Sequence, residues 1–225
     1  MLRVYAYEFC LELAKLPPGL TSLPTTQVLP KERPSRMLYL PSTDEKIRTF
    51  HLRAGETHKA GHAVIYFPSE EAIQRFWASY RRTFHNVRAG GAVVIDGEGD
   101  MLFIWRRGRW DLPKGKGEPN EPIEITAQRE LREETGLDCG APERPLARTY
   151  HIYAENGQYI LKETHWFLFR CGAVRPPIQV QEEEGIQGYK WVSPQEVPFL
   201  YAQSYGTIRD MIEHVLREIR PAPSS

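Results

Sequence analysis

Residues 129–136 read RELREETG, and this stretch gathers three glutamates where the spacing predicts one face of a helix. Glu130, Glu133 and Glu134 stand at i, i+3 and i+4, which are neighbouring positions on a helix surface. Gly136 is a natural end for that helix, because glycine takes up the left-handed backbone conformation easily. Each carboxylate near a helix C-terminus is disfavoured by about 0.3–1 kcal/mol. A bound divalent cation would turn this repulsion into ligation.

The sequence before the cluster predicts how the helix is placed. The helix is expected over residues 122–135, and Ile123, Ala127 and Leu131 form an apolar stripe that should pack on a sheet. The preceding PKGKGEPNE, residues 113–121, is a glycine-containing loop that lets the backbone approach a ligand closely. Mg²⁺ takes oxygen ligands and is held by a few carboxylates together with substrate phosphates. A second interpretation is a solvated helix face on which Arg129 and Arg132 offset the acids.

A longer pattern separates these two interpretations. Gly115 is followed after five residues by Glu121, and after seven more by Arg129-Glu130-Leu131, one residue, Glu133-Glu134, one residue and Gly136-Leu137. This is the full signature G-x5-E-x7-R-E-U-x-E-E-x-G-U, with U apolar, and it has no mismatch. The chain therefore resembles the Nudix hydrolase family. The stretches AGGAVV (89–94), WDLPKGK (110–116) and EEEGIQGYKWVSPQEV (182–197) extend the resemblance to that of a bacterial member with a short N-terminal extension.

The resemblance implies roles for particular residues. Glu130, Glu133 and Glu134 are expected to bind Mg²⁺, for which Mn²⁺ can substitute, with the backbone carbonyl of Gly115 as a further ligand. All three glutamates are expected to be catalytic for that reason. Arg129 is expected to orient them by salt bridging. Where this chain has Pro122, many members have a Ser or Thr cap, so the helix start can differ slightly.

Two further acids are implied. Glu121 is expected either to hold a metal or to brace the loop. An acid outside the signature often serves as a ligand or a general base, and Glu184 is the choice here, seven residues before Trp191. Glu183 and Glu182 are close competitors for that role.

The implied activity is metal-dependent hydrolysis of a diphosphate bond in a nucleoside diphosphate linked to another moiety. Lys114, Lys116 and Arg107 are candidate substrate contacts, and the basic run of Arg106, Arg107 and Arg109 would suit a dinucleoside polyphosphate or another highly phosphorylated substrate. Two alternatives stand behind it: a nucleotide-sensing module that does not cleave, and isomerase chemistry on a prenyl diphosphate. Candidates for stacking on a base are Tyr150, Tyr153 and Trp166, each also compatible with a strand core; His151 and His165 have no assigned role.

The fold class expected is α/β (α+β), a Nudix-type mixed sheet sandwiched between helices, with a small N-terminal α/β unit. Residues 1–85 form that unit of unknown role, and residues 86–220 form the Nudix domain. In the first, strands are expected at 2–9, 37–40 and 62–67, followed by a helix capped by Ser69. Its stripe comprises Ile73, Phe76, Trp77, Tyr80 and Phe84, which can pack on its own sheet or form the interface of a homodimer. In the second, the strands and helix expected are 92–95, 101–105, a pair around the turn 155–157, 187–193, and a helix over 205–219.

Composition bounds the partners. Lys+Arg and Asp+Glu number 29 each, so the formal net charge is zero and nothing favours nucleic acid or a membrane as the main partner. The three cysteines, Cys10, Cys139 and Cys171, form no C-x-x-C pair, and the odd count is taken to indicate reduced thiols. With no long apolar run and no signal peptide pattern, a cytoplasmic protein that acts on a small phosphorylated molecule is expected.

Overall fold

The structure, a computed structural model, describes residues 1–16, 36–39, 44–56, 61–172 and 175–219. The chain separates into two compact units, Met1–Asn86 with Tyr150–Lys162 and Val87–Thr149 with Glu163–Ser225. The hairpin 150–162 belongs to the first unit, whereas it was expected within the second, 86–220. In chain order, the strands and helices of the two units are β1 Leu2–Ala6, β2 Phe9–Lys15, β3 Arg36–Tyr39, α1 Asp44–Glu56, β4 Gly61–Phe67, α2 Glu70–Arg81, β5 His85–Ile95, β6 Met101–Arg106, β7 Arg109–Asp111, β8 Lys114–Lys116, α3 Ile123–Thr135, β9 Arg144–Glu155, β10 Gln158–Arg170, β11 Ile186–Val192 and α4 Gly206–Ile219.

The first unit is a sheet in the order β10-β9-β1-β2-β4-β3, with α1 and α2 packed on it. Strand β1 pairs antiparallel with β2 and parallel with β9, and β4 pairs parallel with β2 and β3. The predicted helix is confirmed as α2, and the Ser69 hydroxyl accepts a hydrogen bond from Ala72 N at 3.2 Å. The predicted aromatic stripe lies in this unit's own core, where all five side chains are buried: Ile73, Phe76, Trp77, Tyr80 and Phe84.

One prediction for the first unit is wrong, and one helix was not predicted. The single strand expected over 2–9 is a hairpin, in which β1 ends at Ala6 and Tyr7, with φ of 53°, turns the chain into β2. Helix α1 was not expected at all. Its buried face includes His51 and Gly55, which are not apolar and so break the 3.6-residue pattern. The stretch 16–36 is rich in proline, serine and threonine, which predicts an irregular connection, and its residues 17–35 lie outside the described part of the chain.

The second unit is a sheet in the order β11-β6-β5-β10-β9, with β7 on β6 and β8 on β5. Alternate residues of β5 face opposite sides, as a strand requires. Ala92 and Val94 pack with α3, whereas Val93 and Ile95 pack with α4. The sheet is therefore covered by a helix on each face, which confirms the predicted fold class. Among the described residues no helix is both long enough and apolar enough to cross a membrane.

The cysteine prediction is also wrong. Cys139 and Cys171 form a disulfide, and Cys10 is not disulfide-bonded. The two bonded residues are separated by 32 positions, but one follows the end of α3 and the other follows the end of β10. An odd count is compatible with one bonded pair and one thiol, and the count does not reveal which distant residues the fold brings together.

Candidate active site

The loop that precedes α3 is held against the helix by strand pairing. In the antiparallel pair of β5 and β8, Gly115 lies opposite Gly90. A β-carbon on Gly90 would stand 2.5 Å from the backbone nitrogen of Ala127, so β5 contacts α3 closely at this point. On the neighbouring strand, a β-carbon on Gly115 would overlap the carboxylate of Glu130. The backbone of Gly115 and the side chain of Glu130 therefore share one small space.

Arg129 is the centre of the acidic cluster. Its Nη1 donates to Glu130 Oε1 and to Glu133 Oε2, each at 2.8 Å. Its Nε and Nη2 donate to the two carboxylate oxygens of Glu121 at 3.0 Å, and Nη2 also reaches the carbonyl of Lys116 at 3.1 Å. One guanidinium thus links two glutamates of α3 to the preceding loop.

The same contacts separate the pKa values of the acids. Hydrogen bonds from Arg129 and Thr126 lower the pKa of Glu121 to about 2. Burial raises the pKa of Glu130, and the charges of Glu133 and Glu184 raise it further, while Arg129 opposes the shift. Glu121 is therefore firmly ionised as a brace for Arg129.

Glu134 is the most buried carboxylate of the cluster, with no exposed surface. Its Oε2 accepts a hydrogen bond from Lys114 N at 2.8 Å. Its Oε1 lies 3.0 Å from Arg106 Nη1, outside hydrogen-bond geometry, and makes no hydrogen bond. Burial raises the pKa of Glu134 to about 7, against the charges of Lys114 and Arg106.

Glu184 lies in a short 3₁₀ turn, Glu182–Glu184, before β11. Its Oε2 is 2.6 Å from Arg106 Nη2, and its charge acts on Glu130. It is therefore close to the α3 cluster. Glu182 and Glu183 are both exposed.

The candidate substrate contacts differ in their surroundings. The ammonium of Lys114 lies 2.5 Å from Asp111 Oδ2, so an internal carboxylate already pairs with it. Lys116 is exposed beside the loop. Arg107 is exposed in the turn between β6 and β7, with φ of 52°.

The aromatic candidates are mostly core residues. Trp166 is buried and donates from Nε1 to Thr149 Oγ1 at 2.8 Å. Tyr150 packs edge-on against Trp77 in the first unit. Tyr153, also in the first unit, lies beside His151, with their ring centroids 5.9 Å apart.

His165 is paired within the sheet of the second unit. Its Nε2 lies 3.1 Å from Oε1 of the buried Glu163. Arg148 donates to the same carboxylate oxygen, also at 3.1 Å. His165 therefore lies in a small charged cluster on β9 and β10.

A second group of acids lies in the turn between β5 and β6. Asp96, Glu98 and Asp100 bring their carboxylate oxygens close enough to hold a metal ion. Arg175, however, contacts all three, at 2.6, 3.1 and 2.5 Å. Its guanidinium already takes the place that a cation would occupy.

The residues of the α3 cluster fit a divalent cation. The space where a β-carbon on Gly115 would collide lies at the Glu130 carboxylate, and Glu134 keeps a buried oxygen without a hydrogen bond. Glu133 adds a carboxylate that is about half exposed. Glycine backbone and carboxylate oxygens are the ligands that hard cations prefer.

Two contributions to this site were not predicted from the sequence. Arg106 was expected only as part of a basic run, whereas the residue lies between Glu134 and Glu184. Asp111 had no expected role, and its side chain pairs with Lys114, three residues further along the chain. The contacts of Arg106 depend on the pairing of β11 with β6, which no local pattern signals, whereas the short spacing of Asp111 and Lys114 is a local signal.

An acid-rich helix beneath a glycine loop, on a sheet covered by helices on both faces, defines a Nudix-type site. A profile described as the NUDIX domain matches residues 85–215. The chain therefore belongs to the Nudix family.

Two of the relatives and one of the solved structures match between 40% and 61% of the chain. An RNA pyrophosphohydrolase of Erythrobacter litoralis is 30% identical over 151 residues, which cover 59% of this chain and 90% of that protein. A protein of Mycobacterium tuberculosis named as mutator protein MutT4 is 39% identical over 99 residues, but the match spans only 40% of each chain. Among solved structures, a MutT protein from Methanosarcina mazei is 23% identical, with a TM-score of 0.48, over 61% of this chain and 98% of that one.

Proposed function

We propose that this protein hydrolyses a diphosphate bond in a nucleoside diphosphate linked to another moiety, with Mg²⁺ or Mn²⁺ held by the α3 cluster. The observation that carries the proposal is the Gly115 backbone packed against the Glu130 carboxylate, on the helix that also carries Glu133 and the buried Glu134. Three acids at neighbouring positions of one helix repel one another, and a bound cation would turn that repulsion into attraction.

The residues of the site have different roles in the proposed reaction. A bound divalent cation would neutralise the diphosphate oxygens and lower the pKa of a coordinated water. Glu130, Glu133 and Glu134 hold their carboxylates in fixed relation because they share one helix, and Arg129 keeps two of them aligned. Glu184, partly exposed beside the cluster, adds a carboxylate to the set that would hold the cation and accepts the proton of the attacking water. Positioning and charge supply most of the rate, as in other phosphoryl transfers.

The moiety linked to the nucleoside diphosphate belongs to one of several classes of compound. Arg107 and Lys116 are exposed beside the site and offer positive charge to additional phosphates. The Erythrobacter relative is named for RNA, and a Bacillus subtilis relative, 29% identical over 112 residues, is named for 8-oxo-dGTP. These names supply members of a substrate panel.

The test is phosphate or pyrophosphate release from that panel, with and without Mg²⁺ or Mn²⁺. It contains diadenosine polyphosphates, ADP-ribose, nucleoside triphosphates, 8-oxo-dGTP, diphosphoinositol polyphosphates and a 5′-triphosphorylated RNA. Metal-dependent turnover that Glu133→Gln abolishes supports the hydrolase. Tight binding of one compound without any turnover would instead favour a nucleotide sensor.

A further inference from the structure

Arg106 connects two acids that come from different parts of the chain. Its Nη1 lies 3.0 Å from Oε1 of Glu134, on α3, and its Nη2 lies 2.6 Å from Oε2 of Glu184, in the turn before β11. Because guanidinium is a planar fork, one arginine can serve two carboxylates at once with little freedom left. Its side chain is only 16% exposed, so these contacts are shielded from solvent.

The backbone strengthens the same connection. Arg106 Nε donates to the carbonyl of Glu184 at 3.2 Å, and the neighbouring Arg107 N donates to the carbonyl of Gly185 at 3.1 Å. We call these contacts, with the two carboxylate contacts of Arg106, the Arg106 clasp. The clasp fixes the Glu184 turn to the end of β6.

Glu184 needs this support more than the α3 acids do. Glu130, Glu133 and Glu134 are fixed relative to one another by their helix, whereas the side chain of Glu184 is 39% exposed on a three-residue turn. The negative charges of α3 repel it. Without a cation at its side, the carboxylate would turn outwards to water.

We propose that Arg106 is a positioning residue that holds Glu184 against the α3 carboxylates and so completes the set that receives the divalent cation. The inference rests on the metal site of the proposed function. It assigns to Arg106 a role through Glu184, and not a contact with substrate.

The affinity for metal, measured without substrate, should change in opposite directions for the two possible roles of Arg106. If Arg106 acted only as a neighbouring positive charge, Arg106→Gln would tighten Mn²⁺ binding, because a repelling charge is removed. If it positions Glu184, Arg106→Gln weakens Mn²⁺ binding about tenfold, within the range for residues that orient ligands. The probe is Mn²⁺ alone, followed by calorimetry or electron paramagnetic resonance on the full chain.

A double-mutant cycle identifies the partner. Glu184→Gln should weaken Mn²⁺ binding in the wild-type background and change it less than twofold in the Arg106→Gln background, because Glu184 is already displaced there. Arg106→Lys should recover only part of the affinity, since an ammonium lacks the fork that reaches both acids. Arg170→Gln removes an exposed arginine–glutamate pair of the same unit and is the matched control.

The outcomes are distinct. Weaker Mn²⁺ binding in Arg106→Gln together with a non-additive cycle supports the inference. Tighter or unchanged binding, or additive effects, overturns it; unchanged binding with a raised KM would make Arg106 a substrate contact. Wild-type protein that binds no Mn²⁺ would overturn the proposed function itself, and the inference with it.

Discussion

Gly115 lies so close to Glu130 that no side chain larger than hydrogen fits between the loop backbone and the carboxylate. The atoms in the way are the far end of a flexible side chain and not backbone. A methyl group at position 115 can therefore be accommodated if Glu130 moves. Fold and metal site are separable at this position.

Gly115→Ala should consequently leave stability within about 1 kcal/mol of wild type, while it weakens Mn²⁺ binding and turnover at least about tenfold. The physical reason is displacement of the Glu130 carboxylate. Thermal unfolding and Mn²⁺ titration measure the two effects. The control is Gly117→Ala in the same loop, where the nearest atom, Thr126 Oγ1, is 3.4 Å from the added carbon and ordinary contact results. Equal losses in both variants would refute the argument.

Arg129→Gln should destabilise the metal-free protein by about 1–3 kcal/mol, since Glu130 and Glu133 then lose the guanidinium that donates to both. Mn²⁺ should restore more stability to this variant than to wild type, because the metal replaces the missing charge between acids that the helix still holds in place. Melting temperatures with and without Mn²⁺ provide the measurement.

The control for this experiment is Arg132→Gln, on the same helix but paired with Asp138 at an exposed site. Its response to Mn²⁺ should equal that of wild type. If Mn²⁺ raises the melting temperature of Arg129→Gln no more than that of this control, the metal does not replace the charge of the missing guanidinium.

The helix and its acids were predictable because their signals are local. The stripe of Ala127 and Leu131 predicts which face packs on the sheet, and Gly136 ends the helix with φ of 72°. The acids follow from i, i+3 and i+4 spacing alone. Even the missing Ser or Thr cap has little effect, since the helix begins at Ile123 without a side-chain cap.

The environment of the acids was not predictable in the same way. Arg106 and Glu184 are 78 positions apart, and they meet because Ile186 pairs with Arg106 between β11 and β6. A one-residue change of register would turn these side chains to the other face. Helix α1 was not predicted for a related reason: His51 is buried by tertiary packing, although its side chain is not apolar.

The pairing of Cys139 with Cys171 predicts one reactive thiol in the denatured, unreduced protein, that of Cys10, and three after reduction. Closing a loop of this length stabilises a fold by about 3–4 kcal/mol in the chain-entropy treatment. Cys171→Ser should therefore lower the free energy of unfolding by up to that amount and leave Mn²⁺ affinity unchanged. Thiol titration and urea unfolding measure the two quantities. Three reactive thiols before reduction would show that the bond does not form.

His51 predicts an acid-sensitive first unit. The ring is fully buried, with Nδ1 2.7 Å from the hydroxyl of Tyr80, and burial lowers its pKa from 6.5 to about 4, partly offset by backbone groups of Phe9 and Val4. Between these pH values the unfolded chain binds a proton that the folded chain does not. Stability is therefore fully present above pH 6.5 and falls by up to about 3 kcal/mol as the pH drops to 4.

His51→Gln keeps a polar partner for Tyr80 but does not titrate. The slope of its free energy of unfolding against pH should therefore be lower than that of wild type by the equivalent of about one bound proton. Urea unfolding from pH 4 to 7.5 gives the profile, and amide exchange in α1 and α2 reports the first unit separately. His85→Gln, at an exposed histidine that begins β5, should reproduce the wild-type slope. A protein with a buried neutral imidazole must lose stability in that pH interval. If stability falls between pH 6.5 and 4 as steeply in His51→Gln as in wild type, another group causes the acid sensitivity.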